Sequence, residues 1–307
     1  MITLQLLQQI IVFFLMMSCG FTVVKCGLID AKSSRTLSVI CIYIIMPCVM
    51  INAFQIEYSR SIRNGFLLAI AAAVLIHIFL LVFTQIIGKP LKLSVVEKES
   101  IIYSNSGNLV IPLVTVVLGE EWVIYASGFM CVQTIIVWTH GQSLMQGQRQ
   151  VNWKKIVQNI NLIAILTGLV FFLCNIHLPK ILDSMTSSLA SMIGPISMVM
   201  IGMLLAGVDW KLVFGKRRIY GIVFLKMIVV PGIITLCLKL TAPLIPMENA
   251  KTILLISLLA VIAPTAVTIT QMAQLYKRDA AYASSINVFT TLVCIVTMPL
   301  MVMLYMI

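Results

Sequence analysis

The sequence predicts an all-α polytopic membrane protein, and three features lead to that prediction. Hydrophobic residues make up 61% of the 307 residues and charged residues only 10%, whereas a soluble domain is about 45–50% apolar and about 25% charged. Apolar segments of about 20 residues, the length that a helix needs to cross a bilayer, recur along the whole chain. The segments between them are too short to fold alone, so we expect one membrane domain over residues 1–307.

The apolar segments divide the chain into ten predicted spans. These cover residues 5–24, 37–56, 65–87, 100–118, 122–146, 159–177, 182–207, 218–240, 252–275 and 281–306. The first span lacks the positively charged start of a cleaved signal peptide and is longer than the apolar core of one. We therefore expect it to remain as a membrane helix.

Lysine and arginine are distributed unevenly between the loops on the two sides of the membrane. With the N-terminus placed outside, fifteen fall in loops on the opposite side and five in loops on the same side. Because cytoplasmic loops are enriched in these residues, both termini are predicted to lie outside a cell membrane that the chain crosses several times. Orientation thus accounts for the net charge of +11, and we expect no binding to nucleic acid.

Prolines inside the predicted spans recur at about half the chain length. Pro195 follows Pro47 by 148 residues, and Pro264 follows Pro112 by 152. Five spans per half is an odd number, so the second half would enter the membrane from the opposite side. Many secondary transporters use such inverted repeats for alternating access. The two predicted repeats cover about residues 1–148 and 152–307.

The fourth and ninth spans carry polar and helix-breaking residues at their centres. They are Asn105, Gly107, Asn108 and Pro112 in the fourth span, and Pro264, Thr265 and Thr268 in the ninth. Irregular backbone at membrane depth is tolerated only where it is buried in protein or lines a cavity. Two broken helices crossing there would present free N–H groups and positive dipole ends to an anion. The alternative is a pair of proline kinks whose polar groups pack against neighbouring helices.

Three more polar side chains lie within predicted spans. Lys226 is the only charge near the middle of a span, where it either binds a substrate carboxylate or bonds helix-end carbonyls near Pro231. Gln133 and Asn52 either line the same cavity or form hydrogen bonds between helices. We include all three in the predicted substrate site.

Carboxylates and metal ligands do not cluster in the predicted spans. All ten acidic residues, Glu97 and Glu99 among them, are predicted in loops or at span ends, which argues against a cation substrate and against tight proton coupling. The eight cysteines form no Cys-x-x-Cys pair, and no spacing supports the catalytic set of an intramembrane enzyme. We expect a carrier rather than an enzyme, without cofactor or metal, whose partners are a small organic anion and the lipid bilayer.

Short motifs in both halves of the chain carry a resemblance to a known family. They are residues 107–113 (Gly-Asn-Leu-Val-Ile-Pro-Leu), Gly194-Pro195 with Gly202 and Leu205, Lys226 before Pro231, residues 263–266, residues 273–276, Asp279, residues 290–292 and residues 298–300. In these motifs nearly the whole chain resembles the auxin efflux carrier family of membrane transporters, in its short prokaryotic form. The resemblance implies ten helices with crossing broken helices 4 and 9, and an organic anion bound near the crossing.

The chain departs from the plant members of that family in two places. They carry a long hydrophilic loop between helices 5 and 6, where this chain has only residues 147–158, and a Pro-Gln-Gly-like crossing in helix 9, where it has Pro264-Thr265-Ala266. The resemblance to prokaryotic members implies malate, malonate or a related carboxylate as the substrate. A sodium-coupled symporter of the bile-acid type and efflux of an auxin-like indole carboxylate are the alternatives, and both a monomer and a homodimer stay open.

Overall fold

The computed structural model describes residues 2–147 and 153–307. Residues 148–152, which include Arg149 of the predicted cytoplasmic loop and the predicted repeat boundary, lie outside the described residues. In the part of the chain that is described, helices form nearly all of the regular structure, and the one β-type pairing is an isolated bridge. The predicted all-α class is therefore confirmed.

Apolar helices occupy the positions of the ten predicted spans. Within the described residues, seven are long enough to cross a membrane: Gln5–Lys25, Ala31–Asn52, Arg60–Gly88, Glu120–Gln146, Lys180–Ala206, Arg217–Leu244 and Ala280–Met306. Three are shorter: Ser106–Val117, Ile160–Leu173 and Ala250–Ile262. The protein is thus a multi-pass membrane protein. The short helices coincide with the predicted spans 4, 6 and 9.

Within residues 2–147 and 153–307, eighteen α-helical segments make up these spans and their connections. They are α1 (Ile2–Lys25), α2 (Ser34–Ile40), α3 (Met46–Asn52), α4 (Arg60–Gly88), α5 (Val95–Ile102), α6 (Ile111–Val117), α7 (Val123–Ile136), α8 (Gln142–Gln146), α9 (Trp153–Val157), α10 (Ile160–Leu173), α11 (Lys180–Ser191), α12 (Ile193–Ala206), α13 (Trp210–Gly215), α14 (Arg217–Phe224), α15 (Val230–Thr241), α16 (Ala250–Ile262), α17 (Val267–Leu275) and α18 (Ala280–Met306). Short 3-10 turns lie at Ala31–Ser33, Glu120–Trp122 and Ala242–Leu244.

Three of the prolines inside the spans follow π-helical turns. The turns Cys41–Ile45, Ser106–Val110 and Leu225–Val229 each end two residues before a proline, namely Pro47, Pro112 and Pro231. Proline has no N–H to donate, and its ring clashes with the carbonyl four residues earlier. The preceding turn widens as a result. A fourth π-helical turn, Val137–Gly141, has no such proline.

Two compact units make up the chain, and each takes segments from both sequence halves. Unit 1 consists of residues 1–66, 107–127 and 157–207; unit 2 consists of residues 67–106, 128–156 and 208–307. The predicted spans 1 and 2 fall in unit 1 together with spans 6 and 7. The inverted repeat itself stays a prediction.

Close helix packing holds unit 1 together. A methyl group at Gly20 of α1 would lie 2.1 Å from the carbonyl oxygen of Val199 in α12, and one at Gly202 of α12 would lie 1.9 Å from the carbonyl oxygen of Met17. Small residues let helix backbones approach closely, which is a main source of packing energy in lipid. Within the same unit, a methyl group at Gly168 would collide with the Phe54 ring.

Unit 2 contains a broken ninth span and the first half of the fourth. The ninth span is split into α16 and α17 by residues 263–266, where Ala263 and Ala266 have extended backbones. Proline disfavours the helical conformation in the residue before it, which explains the break at Ala263-Pro264. The fourth span is split between α5 and the turn Ser106–Val110, because Tyr103 is extended. The predicted breaks in spans 4 and 9 are confirmed.

A methyl group placed in the contact between α1 and α12 should destabilise unit 1. We expect Gly202→Ala to lower the free energy of unfolding by about 1–3 kcal/mol, since the backbone of Met17 cannot move aside cheaply. Thermal unfolding of the detergent-purified protein measures this. Gly221→Ala is the matched control, because nothing lies within 4 Å of the added methyl group. Equal unfolding temperatures for the two variants would contradict the close contact.

Candidate functional site

The breaks in the fourth and ninth spans meet in unit 2 and are joined by backbone hydrogen bonds. Ser104 and Thr265 form an antiparallel bridge. The Asn105 N–H donates to the Pro264 carbonyl at 2.7 Å, and the Ala266 N–H donates to the Tyr103 carbonyl at 3.1 Å. Lipid offers no partners for backbone groups, so two interrupted helices satisfy each other here. We call residues 103–106 and 263–266 together the crossing.

Thr265 and its neighbours fix the ninth-span side of the crossing. The Thr265 hydroxyl donates to the Ser100 carbonyl at 3.0 Å, and the Thr265 N–H donates to the Thr290 hydroxyl at 3.1 Å. The Asn287 side-chain amide donates to the Thr265 carbonyl. Thr265 is fully buried, and α18 supplies both Asn287 and Thr290. The extended segment is therefore held by side chains as well as by the bridge.

Ser104 and Gln133 fix the fourth-span side. The Ser104 hydroxyl donates to the Val261 carbonyl at the end of α16, at 3.0 Å. The Gln133 side-chain NH2 donates to the Ser104 carbonyl at 2.8 Å and to the Ser106 hydroxyl at 2.9 Å. Gln133 thus lies at the predicted site, where it forms hydrogen bonds between helices and orients the start of the turn Ser106–Val110.

The Lys226 ammonium group lies at the crossing and is fully buried. Its Nζ donates to the Ser104 hydroxyl at 2.6 Å and to the carbonyl of Ile101, in the last turn of α5, at 3.2 Å. A cation is stabilised at a helix C-terminus, where carbonyls lack partners. Lys226 therefore bonds helix-end carbonyls as one sequence interpretation predicted, but those of α5 rather than those near Pro231. Among the described residues, no carboxylate pairs with it.

The start of α17 carries a partial positive charge, whereas the end of α5 carries a partial negative one. The first amides of a helix have no acceptor within it and carry the positive end of its dipole. Of the amides near this start, Thr265 and Ala266 donate to the crossing as described, and Ile269 donates to the Ala266 carbonyl. Val267 and Thr268 are the first two residues of α17, and Thr268 is only partly buried. This helix start has the chemistry of an anion site.

Other residues of the predicted substrate site have different surroundings. Asn105 is buried and contributes its backbone N–H to the bridge, whereas Gly107 and Asn108 lie partly buried in the turn Ser106–Val110. Pro112 is buried in α6 of unit 1, within van der Waals distance of a methyl group added at Gly194.

Asn52 belongs to unit 1 and takes the packing role that its sequence also allowed. Its side-chain NH2 donates to the Ser187 hydroxyl at 3.0 Å, which joins α3 to α11. In the second half of the fourth span, the helical turns begin at Ser106, because a π-helical turn precedes Pro112.

Two acidic residues and one tyrosine–histidine pair of unit 2 were not predicted as part of a site. Glu97 and Glu99 were placed in a loop or at a span end, but both lie in α5 with 1% and 0% of their surface exposed. The Tyr103 hydroxyl lies 3.0 Å from His140 Nδ1. Only the capping box Ser94-x-x-Glu97 was visible in the sequence as a sign that a helix begins this early.

Glu97 lies in the first turn of α5 and joins this helix to α14 and α18. It accepts hydrogen bonds from the Arg218 guanidinium, one of them at 2.9 Å from Nη2, and from the Tyr282 hydroxyl at 2.8 Å. A cavity of about 540 Å³ lies beside it. Its charged lining residues are Lys92, Glu97, Lys216, Arg217, Arg218, Arg278 and Asp279. By the predicted orientation, this basic cavity opens toward the cytoplasm.

Comparison with known families agrees with this architecture. A family model described as a membrane transport protein matches residues 5–302. The chain belongs to this family, the auxin efflux carrier transporters. Curated proteins gave no match to the chain. Members of the family are membrane transporters.

Removing the ammonium group at the crossing should weaken the fold and the transport together. Lys226→Met keeps a long side chain but leaves Ser104 and the Ile101 carbonyl without their charged donor, a loss of about 1.5–3 kcal/mol per bond. We expect a lower unfolding temperature and slower transport. Lys239→Met is the control, since that ammonium group bonds the Leu304 carbonyl at an exposed position. Slower transport with an unchanged unfolding temperature would instead assign Lys226 to substrate binding alone.

Proposed function

We propose that the protein carries small organic anions, mono- or dicarboxylates such as malate or malonate, across the cell membrane by alternating access. Membership of a transporter family supports the general activity. The observation that carries the proposed substrate class is the break before α17, which leaves a helix start beside buried polar groups within the membrane domain. Helix starts at broken membrane helices bind the carboxylates of transported substrates.

Charge near the crossing favours an anion over a cation. Lys226 places a buried basic group at the crossing, and the start of α17 adds a partial positive charge. Glu97 is neutralised by Arg218, so it offers no free negative charge to a cation. We propose that Thr268 and Asn108 add hydrogen bonds to the substrate, because both are polar, partly buried and next to the crossing in sequence.

The sodium-coupled alternative is disfavoured by the position of Lys226. In broken-helix transporters, unwound carbonyls and the C-terminal ends of half-helices coordinate sodium. Here the ammonium group bonds a carbonyl of that kind, that of Ile101, together with the Ser104 hydroxyl. The amino group therefore occupies oxygen atoms that sodium would need. We therefore propose transport that does not require sodium.

Uptake by proteoliposomes under an imposed voltage tests this function. The purified chain is offered malate, malonate, other di- and hydroxycarboxylates and indole acetate, in sodium or in choline buffer. We expect voltage-dependent uptake of at least one small carboxylate and equal rates in the two buffers. Uptake of indole acetate alone would favour the auxin-like alternative. Uptake only in sodium buffer would favour the bile-acid type, and no uptake of any carboxylate would contradict the proposed substrate class.

Substitutions at the crossing should affect binding and turnover differently. Asn108→Ala should weaken substrate affinity three- to twelvefold, the equivalent of about 0.5–1.5 kcal/mol for one neutral hydrogen bond. Pro264→Ala should slow turnover, because it allows α16 and α17 to join into one helix and occlude the free amides. Asn249→Ala and Pro246→Ala are the controls, since both residues are exposed outside the spans. Wild-type affinity and turnover in both crossing variants would contradict the site.

A further inference from the structure

The Glu99 carboxyl group is buried without a hydrogen-bond partner. None of its surface is exposed, and neither of its oxygens has a partner among the described residues. Glu97, two residues earlier, is also buried but bonds Arg218, Tyr282 and the Ser94 N–H. The two carboxyl groups of α5 therefore differ in kind. Among the described residues, Glu97 forms an ion pair with Arg218, and Glu99 forms none.

Among the described residues, Glu99 has one charged neighbour, Arg278, and one titratable neighbour on its own helix end, Tyr103, whose hydroxyl lies 3.0 Å from His140 Nδ1. Arg278, after α17, acts on it electrostatically, while its own Nε donates to the Met145 carbonyl. Lys226 is bonded to Ile101 and Ser104, as shown above. On α18, Tyr282 donates to Glu97.

Three uncharged polar atoms, on α5, on α8 and directly after α17, also lack hydrogen-bond partners. In the described structure, the Ser100 hydroxyl, the Tyr276 hydroxyl and the Gln142 side-chain oxygen are also buried without partners. Ser100 lies on α5 itself, Gln142 lies on α8, and Tyr276 follows α17 directly. Both α8 and α17 pack against α5.

An ionised carboxylate is costly in such a place. Burial without hydrogen bonds costs a charged group several kcal/mol, whereas the protonated acid loses only the hydrogen bonds of a neutral group. The conformation described here therefore holds Glu99 as the neutral acid. A conformation that brings water or a cation to the carboxyl group would release the proton. Proton binding at Glu99 is thus linked to conformation.

Glu99 is also connected to the crossing through the backbone of its own helix. The Tyr103 N–H donates to the Glu99 carbonyl at 2.9 Å, and the Tyr103 carbonyl accepts the Ala266 N–H. The carbonyl of the next residue, Ser100, accepts a hydrogen bond from the Thr265 hydroxyl. A change of charge at Glu99 therefore acts on the helix that carries both contacts to the ninth span.

The charge that acts on Glu99 also lines the basic cavity. Arg278 is one of its lining residues, and Glu97, two residues before Glu99 on α5, is another.

We propose that Glu99 is the proton-binding site that couples transport, so that one proton travels with each anion. In the loaded state the proton is bound to a Glu99 carboxyl oxygen as O–H, and the anion binds without repulsion from a nearby carboxylate. When the proton leaves to the aqueous side, the carboxylate charge returns and favours release of the anion. The coupling is reciprocal, so bound anion also favours protonation. This inference rests on the proposed function.

Proton movement during transport tests the coupling. Proteoliposomes containing the full chain and an internal pH dye are given external malonate or malate without a pH gradient. We expect internal acidification with uptake by the wild type, and an affinity that weakens about tenfold for each pH unit above the midpoint of Glu99 titration. Glu99→Gln resembles the protonated acid, so it should bind the anion with no pH dependence and move no protons. Glu120→Gln, at an exposed position, should behave as the wild type.

The outcomes separate this inference from the proposed function. If the wild type carries the anion without proton movement, or Glu99→Gln keeps the wild-type pH profile, Glu99 is not the coupling site and the carrier function stands. Acidification by the wild type supports coupling even if Glu99→Gln does not fold.

If the wild type carries neither anion, the carboxylate proposal fails, and unfolding temperatures measured without ligand between pH 5 and 9 decide on Glu99. A neutral buried acid predicts that the wild-type unfolding temperature falls as pH rises, because the folded state must then ionise the group or retain a proton that the unfolded state has lost. Glu99→Gln should lack this fall. Identical profiles for the two proteins would overturn protonation of Glu99.

Discussion

Backbone groups left unpaired by two broken helices impose the main constraint on this protein. A membrane helix normally satisfies its own N–H and C=O groups, and a break exposes several of them where lipid offers no partner. Here the break around Ser104 and the break around Thr265 satisfy each other through two hydrogen bonds. Four polar side chains of unit 2, Gln133, Lys226, Asn287 and Thr290, form hydrogen bonds with the same two segments.

Charge at the crossing follows from which helix ends meet there. The end of α5 presents carbonyls, and Lys226 stabilises it, while the start of α17 presents amides and receives no carboxylate from the described residues. The anion that we propose as substrate would complete this arrangement, whereas sodium would compete with the Lys226 amino group for oxygen atoms. Glu99 lies on the same helix α5, four residues before Tyr103 of the crossing. In the coupling that we propose, the protonation of the Glu99 side chain is connected to the geometry of the crossing through this helix.

The breaks were predictable from the sequence because their causes are local. Proline removes a donor, and Asn, Ser and Gly within an apolar span weaken the helix, so Pro264 and residues 104–108 marked both interruptions. The partners were not predictable, since hydrogen bonds such as Lys226 to Ser104 join residues far apart in the sequence. The burial of Glu99 depends on which face of α5 meets α8, α17 and α18, and a short helix with two acidic residues does not reveal that face.

Asn52 shows the same limit in the opposite direction. A mid-span amide is equally suited to a cavity and to an interhelical hydrogen bond, and only the position of Ser187 on α11 decides between them. The π-helical turns were also missed. Proline predicts a disturbance of the helix, but whether it becomes a kink or a widened turn depends on how the neighbouring helices pack.

Disulfide formation across the bridge tests the crossing most directly. The flanking hydrogen bonds make Ser104 and Thr265 a non-hydrogen-bonded antiparallel pair, whose Cα atoms are about 4.5 Å apart, within disulfide range. In the protein carrying Ser104→Cys and Thr265→Cys, mild oxidation should yield a linked peptide pair detectable by mass spectrometry. The pair Ser104→Cys and Leu275→Cys, at the far end of α17, should stay unlinked. Failure of the first pair to link, or equal linking of both, would contradict the crossing.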